Sequence, residues 1–231
     1  LKRTIKDMES EIDLIMQSTP GSGTLLHALR EGQDSGELNE SQVRDEVRGL
    51  FIAGTETTSL TLAWVFLLLD EHRSWRERVE QEVLSVGPTP VLEAVLDETL
   101  RLFPAAPFMT RVVDASTDLG FSTFEERTEF LLSIYHTHRN PEHWENPHDF
   151  DPSRFLGEQV RHRYAWLPFG GGRHLCIGHR VARMEALDAL RAILARFRLH
   201  RVDDSDTCAL MGITLKPSHS MAVTVERRSS T

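Results

Sequence analysis

One cysteine carries the clearest chemical signal in this chain. It lies in Phe169-Gly170-Gly171-Gly172-Arg173-His174-Leu175-Cys176-Ile177-Gly178, a glycine-rich turn with an amphipathic helical pattern behind it. A thiol at a helix N-terminus can be held as thiolate, because unpaired N–H groups and partial positive charge both lower its pKa. The glycines let the backbone approach something flat or bulky. This arrangement suits a cysteine ligating a large metal cofactor better than a buried structural thiol. Cys208 is the only other cysteine. No disulfide framework is visible, so a reducing compartment is the simpler reading.

Upstream of the cysteine, acid, alcohol and guanidinium groups recur at suggestive spacings. In Ile52-Ala53-Gly54-Thr55-Glu56-Thr57-Thr58-Ser59 a glycine and clustered threonines interrupt an apolar helical pattern. These are poor helix formers, and threonine hydroxyls bond back to helix carbonyls and bend the helix. A chain selected only for stability would avoid them between apolar flanks. One reading is a tolerated kink facing solvent. The sharper one is a polar groove in a buried helix, where Glu56 and Thr57 form an acid–alcohol pair able to pass protons. Glu98 and Arg101, at i and i+3, share a helical face. On a surface such a pair contributes only about 0.2–0.5 kcal/mol. Phe150-Asp151-Pro152-Ser153-Arg154-Phe155 supplies a second arginine between apolar anchors. A carboxylate shared between both guanidinium groups is a rigid tether.

The elements that must position these groups are mostly helices. Residues 1–17 form an amphipathic pattern with Ile5, Met8, Ile12 and Ile15 on one side, broken by Pro20-Gly21-Ser22-Gly23. A short helix is expected from Leu25 to Arg30, a polar loop from Gly32 to Leu38, and a long helix capped by Ser41 and running to about His72. Helices follow from about Trp75 to Ser85 and Val91 to Phe103, with Gly87-Pro88-Thr89-Pro90 turning the chain between them. Thr110 to Val113 and Glu129 to Tyr135 read as short strands. Residues 136–168, rich in His, Asn, Pro and Trp, read as irregular and too long for a simple loop, which hints at function. The helix behind Cys176 runs to about Arg196, and Leu210 to Leu215 with Met221 to Val225 form a β-hairpin around Pro217. The fold class is mainly α with small peripheral β-sheets.

Composition sets the outer bounds. The 231 residues are 40% hydrophobic and 26% charged, ordinary for a globular protein with ample core. A net charge of −9 argues against general nucleic-acid binding. The longest apolar run, Leu60 to Leu69, is too short to span a bilayer. Within this acidic chain, Arg161 to Arg183 holds five arginines and no acidic residue. That stretch can neutralise an anionic cofactor, dock an acidic partner through Arg180 and Arg183, or simply be an exposed helix face. The chain begins at Leu1 inside a helical pattern, so it reads as a piece of a longer protein.

Taken together and in order, Ala53 to Thr58, Glu98-x-x-Arg101, Phe150 to Phe155 and Phe-x-x-Gly-x-x-x-Cys-x-Gly over 169–178 resemble the cytochrome P-450 family. The resemblance implies that family's fold, apparently without its N-terminal part, as a single haem-binding domain over 1–231. It implies haem b, with Cys176 as axial thiolate ligand and Phe169 packed near the sulfur. His174 and Arg111 become propionate contacts, while Gly54, Gly172 and Gly178 border the cofactor. Glu56 and Thr57 become the catalytic proton-handling pair, and Glu98, Arg101 and Arg154 a buried ionic triad. It further implies a monooxygenase that activates dioxygen to hydroxylate or epoxidise an apolar small molecule. Electrons would come from a ferredoxin- or flavin-type donor, in the cytoplasm unless an anchor precedes the chain. Ala105 to Met109 and a hairpin tip near His219 to Met221 would border the substrate. Where many members carry a Pro-x-Gly turn, this sequence has Glu125-Glu126-Arg127, which puts that hairpin in doubt. The missing N-terminal helices leave a second reading open, a truncated, catalytically inactive haem-binding remnant.

Overall fold

The computed structural model describes residues 2–157, 162–202 and 207–228. Helices dominate, with short antiparallel strand pairs, and the chain falls into two compact units, Leu1–Glu56 and Thr57–Thr231.

The first unit holds α1 (Lys2–Gln17), α2 (Leu25–Asp34) and the start of α3 (Glu40–Glu71). Ile12 of α1 and Val43 of α3 are fully buried, whereas Ile5 stays 47% exposed. Thr24 Oγ1 caps α2 by accepting His27 N–H at 3.2 Å. The helix runs past Arg30 to Asp34, and the loop then folds back, with Leu38 Cδ1 3.2 Å from where a Cβ on Gly32 would stand. Ser41 does not cap α3. Asn39 does: its Oδ1 accepts Gln42 N–H at 3.0 Å and its own N–H donates to Gln42 Oε1 at 2.9 Å. This reciprocal capping box satisfies two otherwise orphaned donors, which a lone Ser41 cannot.

The second unit is organised around a core shared by the rest of α3, α4 (Arg73–Val83), α5 (Pro90–Leu102) and α7 (His179–Leu194). Val65, Leu69, Val79, Leu92, Leu96 and Leu190 are at its centre. Burying each such side chain stabilises the fold by roughly 1.5–3 kcal/mol. By length and composition alone α3 could cross a bilayer, but Trp64, Val65, Leu67, Leu68 and Leu69 are buried within protein. Glu82 fixes how α4 passes into α5. Its carboxylate accepts Val91 N–H and Leu92 N–H, both at 2.8 Å, at a helix start already set by Pro90.

The strands pair in twos. β1 (Phe108–Val112) meets β4 (Glu129–Ser133), and β2 (Thr117–Asp118) meets β3 (Thr123–Phe124). The doubted hairpin closes without a Pro-x-Gly turn. Arg127 takes a left-handed φ of 68°, its N–H donates to Val113 O at 2.8 Å, and Val113 N–H donates to Thr128 O at 2.9 Å. β4 stops at Ser133, short of Tyr135, because Ser133 Oγ caps α6 (Ile134–Thr137) through His136 N–H at 3.2 Å.

The C-terminal strands depart most from the sequence reading. β6 (Ala209–Met211) pairs with β7 (Leu215–Pro217), so Leu210 to Leu215 contains a hairpin turn of its own at Gly212 to Thr214. The tip is Ile213, 89% exposed, rather than His219 to Met221. β8 (Val223–Arg227) pairs instead with β5 (Phe197–Arg201), directly after α7. Glu80 of α4 holds this pair, with Arg228 at 2.7 Å and Arg198 at 3.4 Å.

Candidate active site

The cysteine turn is built from its backbone outward. Gly170 and Gly172 adopt φ of 74° and 67°, left-handed conformations that side chains disfavour. Between them Gly171 packs so closely that an added Cβ would stand 3.3 Å from Leu167 Cδ2 and 3.4 Å from Tyr164. Gly172–His174 then makes one 3-10 turn. Cys176 N–H donates to Phe169 O at 2.9 Å and closes the loop. Cys176 O accepts His179 N–H at 3.3 Å. Because Gly178 caps α7, Cys176 precedes the helix rather than opening it.

The thiol is free and exposed, beside Leu175 at 45% and Ile177 at 93% exposure. Its Sγ lies 3.9 Å from where a Gly178 Cβ would stand. Phe169 packs on the core with its ring 6.2 Å from that of His179. His174 is exposed. β1 runs alongside: Met109 Cε is 3.5 Å from where a Gly170 Cβ would be. Arg111 shares that strand face with Met109 and donates NH1 to Thr110 O at 2.7 Å. Among the described residues no cluster of three or more His, Cys, Asp or Glu could hold a metal ion. A metal at Cys176 therefore has to bring its other ligands with it.

Behind the turn, Glu98, Arg101 and Arg154 meet in one cluster. Arg101 Nε and NH2 donate to the two Glu98 oxygens at 2.7 and 2.8 Å, and both side chains are fully buried. Arg154 Nε lies 3.4 Å from Glu98 Oε1, which also accepts Asp151 N–H at 2.8 Å. Arg101 gives its other protons to the carbonyls of His138, Pro147 and Asp149 at 2.8, 2.7 and 3.0 Å. A buried ion pair needs such additional partners to offset its desolvation.

Three side chains that the sequence reading does not single out carry this cluster to the turn. Arg101 stacks over Trp144 at 4.9 Å, and Trp144 Nε1 donates to Ala165 O at 3.2 Å. Trp166 Nε1 donates to Asp97 O of α5 at 3.3 Å. His138 Nε2 accepts Leu167 N–H at 2.6 Å. Their only signal in the sequence is the His- and Trp-rich composition of 136–168.

On α3, Gly54 and Glu56 are exposed in the first unit, and half-buried Thr57 begins the second. The helix passes through without a break, and Thr55 and Thr61 hydroxyls bond back to Phe51 O and Thr57 O at 2.6 and 2.9 Å. Apart from its chain neighbours and the helix's own backbone, no atom of the described residues stands within 4 Å of where a Gly54 Cβ would be. The arginine stretch is partly committed: Arg183 pairs with Asp97 and, at 3.5 Å, with Glu93. It is therefore a poor docking group, while Arg173 and Arg180 stay exposed and Arg161 lies outside the described residues.

The sequence model of the family described as Cytochrome P450 matches residues 1–222. Cytochrome P450 137 of Mycobacterium tuberculosis is 38% identical over 181 residues, covering 78% of this chain and 37% of that protein. Cyclooctat-9-en-7-ol 5-monooxygenase of Streptomyces melanosporofaciens is 38% identical over 192 residues, covering 78% and 42%. The crystal structure of the cytochrome P450DA heme domain superposes with a TM-score of 0.84 at 30% identity, over 97% of this chain and 53% of that one. The chain thus spans about half or less of the length of the proteins it matches.

Proposed function

The chain belongs to the cytochrome P450 family, and from that premise we propose that it supplies the thiolate-bearing part of a haem monooxygenase. The observation that carries this reading is the exposed Cys176 thiol, held by a loop whose backbone is closed on Phe169. The surrounding residues fit haem b. A soft sulfur donor projects beside exposed Leu175 and Ile177, and among the described residues no atom beyond Gly172 and its chain neighbours lies within 4 Å of a Cβ position on Gly172. When bound, thiolate-ligated haem supplies dioxygen activation, because the thiolate pushes electron density toward O–O cleavage.

Every other task falls to the chain itself. Cys176 would hold the haem iron through its sulfur, with Phe169 packed nearby. His174 and Arg111 hold the propionates. Gly172 and Gly178 would leave room for the macrocycle beside Cys176. Glu56 donates, and Thr57 relays, the protons the reaction consumes. Glu98, Arg101 and Arg154 hold the turn in place. The substrate is an apolar small molecule, in keeping with Ala105 to Met109 and the exposed hairpin tip at Ile213, where Leu215 N–H ties β7 to Ala105 O at 3.0 Å. The name of the Streptomyces relative, a monooxygenase of the alcohol cyclooctat-9-en-7-ol, supports that class. A ferredoxin- or flavin-type donor delivers electrons, and the exposed cations Arg173 and Arg180 suit an acidic one. The two free cysteines fit a cytoplasmic setting.

The test is spectroscopic. Haem-loaded, reduced, carbonyl-bound protein gives the red-shifted Soret band of thiolate ligation, and Cys176→Ala abolishes it. Retention of that band in the variant refutes the assignment. A second reading, a haem-binding remnant without turnover, draws on the open exposure of Leu175 and Ile177 around the thiol. It gives the same spectrum but no product with a competent reductase present.

A further inference from the structure

His138 has no exposed surface, and neither ring nitrogen is idle. Nε2 lies 2.6 Å from Leu167 N, and an amide N–H can only donate, so Nε2 is the unprotonated nitrogen. Nδ1 lies 3.1 Å from Arg101 O, a carbonyl that can only accept, so Nδ1 carries the proton. Arg101 answers by donating NH1 to His138 O at 2.8 Å. The two residues clasp each other through both side chains and both carbonyls.

Leu167 is where the clasp reaches the cysteine. Its carbonyl accepts Gly170 N–H at 3.0 Å, which starts the left-handed bend, and two residues on Phe169 O accepts Cys176 N–H at 2.9 Å. Trp144 and Trp166 also tether residues 165–166. Among the described residues only His138 takes a side-chain bond from the backbone of Leu167, two residues before the turn, and it does so with an acceptor that protonation would remove. The charged groups around the ring are cationic or already paired. Arg101 on α5 is joined to Glu98, Arg139 follows in sequence, and the turn offers the ring only a backbone N–H.

We propose that His138 is a positioning residue for Cys176: as the neutral Nδ1–H tautomer it bolts Leu167 to the end of α5, so that the Glu98–Arg101 pair and the cysteine turn move as one body. The haem part of its test rests on the proposed thiolate role of Cys176, whereas the backbone part does not.

The experiment uses His138→Leu and His138→Gln alongside the parent chain. Without cofactor, amide hydrogen exchange is read at Leu167, Gly170 and Cys176, with core amides of α5 as reference. In His138→Leu the three turn amides exchange about tenfold faster, the consequence of losing one buried hydrogen bond to local opening. The α5 amides are unmoved, and His138→Gln, whose amide offers an NH2 donor group and a carbonyl acceptor, restores part of the protection. Unchanged turn amides, or equal loss at α5, overturn the proposal. With haem, reduction and carbon monoxide, His138→Leu shifts part of the thiolate-type band to the unligated position. A parent chain that never shows that band refutes the haem reading and leaves the exchange result standing. A parent that shows it, with His138→Leu identical to it, refutes the positioning role. Should His138→Leu fail to fold, ring 15N shifts of the parent decide. A charged ring or an Nε2–H tautomer at pH 7 overturns the proposal, and an Nδ1–H tautomer supports it.

Discussion

Glu9 and Glu98 are each shared by a pair of arginines, and their surroundings could hardly differ more. Glu9 of α1 accepts Arg44 NH2 at 2.8 Å and Arg48 Nε at 2.9 Å, with all three side chains about a third exposed. Glu98 of α5 accepts Arg101 at 2.7 and 2.8 Å and has Arg154 within 3.4 Å, with no exposure of its own. The exposed set ends in other carboxylates, Asp13 at 2.7 Å and Asp45 at 2.5 Å, which solvent shares. The buried set ends in backbone carbonyls and in His138, which solvent does not reach. Equal chemistry at two depths yields a replaceable clamp in one place and an irreplaceable hub in the other.

The largest expected effect comes from opening the hub. Arg101→Leu strands the Glu98 charge in the core and unpairs three carbonyls, and removing one partner of such a pair costs about 3–5 kcal/mol. Urea unfolding reads this as a lower midpoint at unchanged slope. Arg101→Lys recovers little, because an ammonium cannot reproduce the guanidinium fork that meets both Glu98 oxygens. An Arg101→Lys midpoint equal to the parent's would erase the contrast. Arg154→Met costs less, about 1–2 kcal/mol, since Arg154 makes one long contact to Glu98 and one bond to Asn146 O at 3.0 Å.

Acid probes the hub from a second side. Burial, with the Arg101 and Arg139 charges adding to it, holds the His138 imidazole down from 6.5 to about 4. The unfolded chain therefore takes up a proton near pH 6.5 while the folded chain does so only near 4. Stability from this group is complete above pH 6.5 and is lost as pH falls through that window, by about 3 kcal/mol in full. His138→Gln has nothing to titrate, so its urea midpoint stays flat between pH 7 and 4.5 where the parent's falls.

The contrast also explains what the sequence makes legible. Glu98 and Arg101 are one helical turn apart, so spacing allows that pair, while Arg154, in a framed Phe-to-Phe segment, joins them only through the resemblance to the family. The Cys176 turn is readable directly, because its glycines and thiol are contiguous. Glu9 meets Arg44 and Arg48 across 35 and 39 residues, where no periodicity connects them. His138 is invisible for a different reason: its partners are the backbone of Arg101 and Leu167, and backbone atoms have no letter in the sequence. The C-terminal strands fail likewise. Phe197, Leu199 and Arg201 alternate as a strand should, but nothing local tells β8 to seek β5 rather than fold back on β7.

The smallest effect tests the exposed clamp and completes the comparison. Hydrogen bonds from Arg48 and then Arg44 pull the Glu9 carboxyl down from 4.5 to about 2. A depressed acid stabilises the fold above its unfolded value, so this contribution persists down to pH 4.5 and disappears between there and 2. The two networks therefore fail in separate windows as pH falls, His138 first and Glu9 second. Amide exchange distinguishes them by place, at Leu167 and the cysteine turn for the first and at α1 for the second. Salt distinguishes them by depth. At 1 M salt the Debye length is about 3 Å, so the Glu9 step shrinks while the His138 step, driven by burial, keeps its size. Glu9→Gln at pH 7 produces only a small loss of α1 protection, and the same salt removes even that. A Glu9 step that ignores salt would mean the clamp is as dry as the hub, and the distinction between the two carboxylates would collapse.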